Sequence, residues 1–325
     1  MPLRIETSAP SNIALIKYMG KSNGDSNLPA NSSLSMTLEH LRSHVRIESA
    51  DREHEGKGAE DRWRPLPEQA SFYLSETGKR KFLSHFARLK EAWKISGTYT
   101  ISSGNDFPSD CGLASSASSF AALTRAAYEL ARSQHPDLQL SVEELSKWSR
   151  LGSGSSCRSF FSPWSVWKSE GAEPLDLDLR LEHAVVLVES GVKAVSSSQA
   201  HERVASSLLF EGRVARARER LIELESGLRS GEWRRAFELC WSEFWDMHAL
   251  FETSDPSFGY MQAGSFQVLE QMRDIWRREG DGPLVTMDAG PNVHLLIRPD
   301  QTRQAESWLR GRPVLTSWRR QIERA

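Results

Sequence analysis

The chain is poor in features that define several protein classes. It has three cysteines in 325 residues, Cys111, Cys157 and Cys240, widely spaced and without a CxxC pair. That spacing argues against a disulfide framework and against a zinc site. Apolar runs such as residues 184–188 are far shorter than the roughly 20 residues of a membrane span. Because the start also lacks the apolar core of a secretion signal, we expect a cytoplasmic protein without membrane partners.

A strong net charge of either sign is also missing. Lys and Arg number 41 against 43 Asp and Glu, a formal net charge of −2. No overall field therefore favours nucleic acid, and an anionic ligand must be held by a local set of donors. The length, with 39% hydrophobic residues, is enough for about two ordinary domains or one large two-lobed unit with a buried core.

Hydrophobic periodicity predicts an α+β protein, β-rich at first and mostly helical later. Residues 3–47 read as short extended pieces, and the charged residues 51–69 as a surface excursion. Ser141 and Glu144 form the capping box of a helix. Further predictions are helices at 79–93 and 116–132, three between 199 and 280 and one from about 301, and strands at 99–102, 184–188, 284–287 and 293–297.

One segment, residues 108–118 (PSDCGLASSAS), has the composition of an anion-binding loop that leads into a predicted helix. Small side chains let the backbone approach an anion, and the first helical turn offers free N–H groups at the positive end of the helix dipole. The hydroxyls of Ser115, Ser116 and Ser118 add donors or a magnesium ligand. An ordinary serine-rich helix cap would have the same composition.

Two other glycine-containing segments fail to complete nucleotide-binding motifs. Gly20-Lys21-Ser22 lacks the glycine of a Walker loop at position 15, and Cys157 stands where a dinucleotide fingerprint starting at Gly152 needs its third glycine. The serine-rich loop is therefore the strongest nucleotide-binding candidate.

Three segments carry charged side chains in unusual settings. Lys17 and Lys21 lie in a stretch that otherwise looks like a buried strand, so a lysine there needs a bound anion or a salt bridge unless it is solvated. Arg158 ends a Gly- and Ser-rich turn, which is either a surface loop or a grip on carboxylate or phosphate. Asp288 follows a predicted strand in the turn DAGPN; it is a turn former, or a general base if it faces the other segments.

Two further groups are interpreted as structural. His40 and His44 have the spacing of helical metal ligands, but they lie beside a predicted strand without an acidic third ligand. Trp233, Trp241 and Trp245 recur at near-helical spacing, which fits core packing or a dimer face.

Taken together and in this order, these segments resemble the GHMP kinase superfamily and, within it, the diphosphomevalonate decarboxylases. The resemblance rests on APSNIALIKYMGK and NLPANSSLSMTL in residues 9–38, PSDCGLASSAS in 108–118, RLGSGSSCRS in 150–159 and MDAGPN in 287–292. It implies the two-lobed GHMP kinase fold. Residues 1–185 would form an ATP-binding lobe like domain 2 of ribosomal protein S5, and residues 186–325 a helix-rich, ferredoxin-like lobe.

The resemblance also implies an activity: ATP, with Mg²⁺ near Ser116, would phosphorylate the 3-hydroxyl of 5-diphosphomevalonate, and loss of phosphate and carbon dioxide would give isopentenyl diphosphate. Asp288 would take the hydroxyl proton, Lys17 would stabilise charge, and Arg158 would hold the substrate carboxylate. Residues expected at the substrate are Asn12, Tyr18, Lys21, Ser153, Ser155, Ser197 and Ser198. Those expected at the nucleotide are Pro108, Gly112, Leu113, Ala114, Ser115, Ser116 and Ser118. The resemblance suggests a homodimer.

The sequence departs from the family pattern near the expected phosphate end of the substrate. Ser162-Pro163-Trp164 stands where relatives usually have Gly-Gly-Phe, Ala200-His201 where Gly-Met is common, and Met19 in place of a tryptophan. These changes leave the reacting groups intact and alter the expected shape of that end of the pocket.

Three alternatives stay open beside this interpretation. A decarboxylase acting on 5-phosphomevalonate would keep Asp288, Lys17 and Arg158, and only Lys21 weakly favours the diphosphate. A pure 3-kinase would be expected to lose the Asp–Lys–Arg set. A non-catalytic binding protein on the same fold is possible in principle, and the retained reactive side chains argue against it.

Overall fold

A six-stranded sheet organises the first half of the chain. The computed structural model describes residues 3–23, 27–49, 60–108, 113–188 and 194–319. The strands of this half are β1 (Arg4–Ile16), β2 (Lys21–Asn23), β3 (Leu28–Pro29), β4 (Ser33–Ser49), β5 (Arg62–Pro65), β6 (Tyr99–Asn105), β7 (Trp164–Trp167) and β8 (Ala172–Pro174). The large sheet has the order β5-β6-β4-β7-β8, with β1 also paired to β4, while β2 and β3 pair only with each other.

Two long strands replace the short extended pieces predicted for residues 3–47. β1 and β4 pair antiparallel from Arg4 opposite Glu48 to Ile16 opposite Leu34. β1 continues past Pro10 through a register shift between Pro10 and Ser11, where a strand can accommodate a proline. The excursion predicted for 51–69 is also wrong in part, because β5 pairs parallel to β6. Residues 51–59 lie outside the described part.

Three helices pack against this sheet: α1 (Glu76–Trp93), α2 (Ser115–Gln134) and α3 (Val142–Gly152). The predicted periodicity of α1 is confirmed, since Phe82, Phe86, Leu89 and Trp93 are buried in one cluster with alanines of α2. The Ser141 capping box at the start of α3 is confirmed as well. Burial of such large apolar side chains contributes about 1.5–3 kcal/mol each, so this cluster holds α1 and α2 together.

A four-stranded antiparallel sheet forms the second half. Its strands are β9 (Glu182–Val186), β10 (Leu284–Thr286), β11 (Val293–Ile297) and β12 (Val314–Thr316), in the order β10-β11-β9-β12. The helices are α4 (Ser197–Arg203), α5 (Arg213–Ser230), α6 (Trp233–Glu252), α7 (Ala263–Glu279) and α8 (Thr302–Trp308). Where three helices were predicted between 199 and 280 there are four, because short α4 is separate. The division predicted after residue 185 falls within β9 and stays a prediction.

One of the apolar clusters spans the two halves. A single cluster combines Ile13, Leu15 and Leu34 of the first half with Leu224 and Leu239 of the second. No helix in the described residues is both long and apolar enough to cross a bilayer.

A row of three histidines also joins the halves. His183 of β9 lies between His40 of β4, at 3.1 Å from Nδ1 to Nε2, and His294 of β11, at 2.9 Å from Nε2 to Nδ1. Burial lowers the pKa of His40 to about 4 and the pKa of His183 well below its ordinary value. Both rings are therefore neutral near pH 7.

Candidate active site

An ion pair between Lys17 and Asp288 joins the two halves, and both residues line a cleft of about 730 Å³. Lys17 follows the end of β1, and its Nζ lies 2.6 Å from Oδ1 of Asp288. The lysine side chain is 2% exposed and that of the aspartate 24%. The carboxylate therefore pairs with a buried cation and keeps a face toward the cleft.

The turn that presents Asp288 is held from several sides. The N–H of Gly290 donates to the Asp288 carbonyl at 2.8 Å, and His248 of α6 lies 3.2 Å from the same oxygen through Nε2. The side-chain oxygen of Asn292 accepts from the N–H of Val188, and Ser265 donates to the carbonyl of Pro291. The sequence DAGPN thus forms a rigid turn between β10 and β11, not a mobile loop.

The electrostatics keep Asp288 ionised. Burial alone would raise the pKa of this carboxyl group, but Lys17, and less strongly His294 and Arg158, outweigh burial and bring the pKa below its usual value. Burial lowers the pKa of Lys17, and the charge of Asp288 opposes that change. The ionised carboxylate of Asp288 thus favours the charged form of the Lys17 amine, which lies 2.6 Å away.

Arg158 lines the same cleft from a 3₁₀ helix at residues 154–160. It is buried, and it donates through Nε to Oδ1 of Asn12 at 3.1 Å and through Nη1 to Ser33 at 3.0 Å. The amide nitrogen of Asn12 in turn donates to Ser159 at 2.8 Å. The guanidinium is therefore fixed in orientation, and its Nη2 has no hydrogen bond within the described residues.

The first turn of α2 forms another wall of the cleft. Its N-cap Ala114 adopts the left-handed conformation with φ of 53°, and no described side chain caps the helix. Uncapped N–H groups and the positive end of the dipole favour an anion there. Ser116 is exposed and, with Ala114 and Ser115, lines the cleft. The described end of the segment predicted to bind phosphate therefore lines the same cleft as Lys17 and Asp288.

The structure brings most of the predicted residues together. Besides those already described, the cleft is lined by Tyr18, Lys21, Ser153, Ser155, Ser197 and Ser198. Four predicted residues do not line it: Asn12 contacts Arg158, Leu113 is in the core, Ser118 bonds to Ser43, and Pro108 lies before the described start of α2. Gly112 lies outside the described residues.

Sequence reasoning missed one wall of the cleft, the face of α1. Arg80, Lys81 and Arg88 line the cleft, and Nζ of Lys81 donates to Oγ of Ser198 across it at 2.7 Å. His201 also lines the cleft; its Nδ1 accepts from the N–H of Gly20 at 3.1 Å. The cations of α1 could not be recognised as site residues from the sequence, because the polar face of an amphipathic helix resembles any solvated surface.

Two protein-family models match most of the chain. Residues 9–176 match a model described as the diphosphomevalonate decarboxylase-like N-terminal domain, and residues 184–317 match the mevalonate 5-diphosphate decarboxylase C-terminal domain. The chain belongs to the diphosphomevalonate decarboxylase family. The predicted two-lobed GHMP kinase fold is confirmed by the similarity to solved structures of this family.

Individual members of this family resemble the chain along nearly its whole length. It is 32% identical to the diphosphomevalonate decarboxylase of Aspergillus fumigatus in an alignment 315 residues long, which covers 89% of this chain and 76% of that protein. A crystal structure of mevalonate diphosphate decarboxylase from Legionella pneumophila superposes with a TM-score of 0.89 at 42% identity, covering 96% of this chain and all of the other. The structure named MDDEF in complex with MVAPP, AMPPCP and magnesium gives 0.85 at 28% identity, covering 97% and 96%.

Proposed function

We propose that the protein catalyses the ATP-dependent decarboxylation of (R)-5-diphosphomevalonate to isopentenyl diphosphate, with release of ADP, phosphate and carbon dioxide. The observation that carries this proposal is the meeting of Lys17, Asp288, Arg158 and the start of α2 in one cleft. Relatives named diphosphomevalonate decarboxylase, and a similar structure holding MVAPP with AMPPCP and magnesium, support the same reaction.

In this proposal Asp288 accepts the proton of the 3-hydroxyl group. A carboxylate of lowered pKa is a weak base toward a free alcohol. The hydroxyl becomes acidic as its oxygen bonds to phosphorus, however, so the proton moves in step with phosphoryl transfer. The role of Asp288 is therefore to orient the hydroxyl and receive its proton, and the neighbouring Lys17 ammonium stabilises negative charge on the transferring group.

Arg158 orients the other reacting end of the substrate. Its guanidinium is locked by Asn12 and Ser33, so it can hold the substrate carboxylate in one direction without losing further freedom on binding. Once phosphorylated, the tertiary oxygen becomes a good leaving group, and the electron-deficient C3 draws electrons from the neighbouring carboxylate. Carbon dioxide leaves as the double bond forms.

The donors at the start of α2 fit a magnesium nucleotide. Mg²⁺ in phosphoryl-transfer sites is commonly held by one or two protein oxygens together with phosphates and water, and the exposed hydroxyl of Ser116 offers such an oxygen in the cleft. When bound, Mg²⁺ would neutralise phosphate charge. The free N–H groups of the first turn would take phosphate oxygens.

The cations and hydroxyls around Tyr18, Lys21 and Ser197 would hold the diphosphate, and a decarboxylase of the monophosphate remains the second candidate because it needs the same reacting groups. The protein would act in the cytoplasm as a homodimer. Its lobes would divide near residue 185, which the change of sheet between β8 and β9 supports.

The test is release of ADP and carbon dioxide, measured side by side with 5-phosphomevalonate and 5-diphosphomevalonate. We expect both products in equal amounts, with the diphosphate giving the higher kcat/KM. A higher kcat/KM for the monophosphate would favour the second candidate. ADP without carbon dioxide from either compound would reject decarboxylation.

A further inference from the structure

The backbone of Lys17 leaves the sheet at a buried position. The last pairing of β1 with β4 is Ile16 opposite Leu34, after a register shift between Ala14 and Ile16. Lys17 itself is 1% exposed. Its N–H and carbonyl therefore lie beyond the strand ladder yet away from water, and buried backbone groups of this kind require other partners.

Those partners come from two charged side chains of the second half and one amide. The N–H of Lys17 donates to Oε1 of Glu243 on α6 at 2.9 Å, and its carbonyl accepts from Nδ2 of Asn31 at 2.8 Å and from Nη2 of Arg213 on α5 at 3.3 Å. Arg213 and Glu243 also bond directly, from Nη1 to Oε2 at 2.9 Å and from Nη2 to Oε1. The peptide groups of Lys17 and the ion pair thus form a closed ring of hydrogen bonds.

A contribution to protein stability does not explain why the Arg213–Glu243 ion pair is buried. Both side chains are completely buried, and the desolvation of two charges offsets most of their attraction, so apolar replacements of similar size are often neutral or stabilising. What the pair supplies is geometry, because it approaches residue 17 from both its donor and its acceptor side, as a neighbouring strand would.

We propose that the Arg213–Glu243 pair positions Lys17: by fixing the backbone of residue 17 it aims the ammonium group at Asp288 and the transferring phosphoryl group. Arg213 and Glu243 are positioning residues, since neither lines the cleft. The proposal rests on the proposed function, because it assumes that the Lys17 ammonium acts in phosphoryl transfer.

Electrostatics give the pair a second, measurable effect. The charge of Glu243 acts to raise the pKa of Lys17, in the same direction as Asp288 and against burial. Asp246, one turn along α6, bonds to Arg213, Arg216 and Arg220, and within the described residues it has no hydrogen bond to Lys17. Asp246 therefore provides a matched control on the same helix.

The experiment compares Glu243→Gln with Asp246→Asn, each of which removes one negative charge beside the same arginines. For Glu243→Gln we expect kcat to fall about 10- to 100-fold and KM for ATP to stay within about threefold of the wild-type value. We also expect the basic limb of the kcat–pH profile to move to lower pH, because Lys17 loses its proton more easily without the charge of Glu243. For Asp246→Asn we expect kcat within about twofold and an unmoved basic limb. Equal effects of the two substitutions would overturn the proposal.

A second variant covers the case in which Glu243→Gln does not fold. Arg213→Met with Glu243→Leu removes both charges together, which buried pairs commonly tolerate. We expect this double variant to unfold cooperatively in urea and to lose kcat as Glu243→Gln does. Normal turnover, or failure of the double variant to fold, would overturn the positioning role. A wild-type chain that releases no carbon dioxide would instead overturn the proposed function itself.

Discussion

Replacing Asp288 with asparagine isolates the buried charge of Lys17. The ammonium lies 2.6 Å from the carboxylate in the wild-type protein and is almost inaccessible to water. Removing one partner of a buried pair costs about 3–5 kcal/mol. Lys17 can instead shed its proton, which at pH 7 costs about 5 kcal/mol for a lysine of ordinary pKa. We therefore expect Asp288→Asn to lower the free energy of unfolding by roughly 3–5 kcal/mol at pH 7.

The loss of stability caused by Asp288→Asn should become smaller as the pH rises. If Lys17 is neutral in the folded variant and protonated in the unfolded chain, the unfolded state binds one more proton. The stability of the variant then rises by about 1.4 kcal/mol per pH unit between the folded and unfolded pKa values of the lysine. In the wild type, Lys17 keeps its proton in both the folded and the unfolded state over more of this pH range. The difference in free energy of unfolding between the wild type and the variant therefore becomes smaller from pH 7 to pH 9.

Urea unfolding followed by tryptophan fluorescence at pH 7, 8 and 9 measures this difference. The control is Lys17→Met combined with Asp288→Asn, which carries neither charge and should show no such slope. Turnover of the single variant should fall about 10²- to 10⁴-fold, as for loss of a general base. A stability difference independent of pH, or turnover within tenfold of the wild type, would refute the reasoning.

Two further changes probe the cleft. Arg158→Lys cannot keep both the bond to Asn12 and the bond to Ser33, so kcat/KM for the diphosphate should fall about 10- to 100-fold. KM for ATP, measured by ADP release, should stay unchanged. A change confined to KM for ATP would show that Arg158 does not contact the substrate carboxylate. Gly20→Ala should destabilise by about 1–3 kcal/mol in urea unfolding, because Gly20 has φ of 89° and a Cβ there would lie 2.8 Å from the Phe210 ring. Adding Phe210→Leu should recover only part of that loss, and full recovery would exclude backbone strain.

The central residues of the site could be predicted from the sequence because each of them lies in a short local pattern. Lys17 stands out as a charge in an apolar stretch, Arg158 ends a Gly- and Ser-rich turn, and Asp288 stands between two apolar strands. Local reasoning also predicted the α2 helix that follows the serine-rich loop. That these segments meet in one cleft depends on the fold, which the family resemblance implied and periodicity alone did not.

Other features could not be predicted because their partners are distant in the chain. The short strand β5 is charged and turn-like in sequence and becomes a strand only by parallel pairing with β6. Arg213 and Glu243 stand in helices rich in charge, where the sequence gives no reason to separate a buried ion pair from solvated ones. The α1 cations Lys81 and Arg88 are visible as functional candidates only once the opposite wall of the cleft is in place.

The three-histidine row has two allowed proton arrangements. A neutral imidazole carries its hydrogen on one nitrogen and accepts at the other, and each ring here meets its neighbour through alternating Nδ1 and Nε2 atoms. Because His40 and His183 are both neutral near pH 7, the two hydrogen bonds require that both of these rings are the δ tautomer or that both are the ε tautomer. The tautomer of His40 in the first half therefore decides whether Nδ1 of His294 in the second half donates a hydrogen bond to His183 or accepts one, without any movement of the backbone.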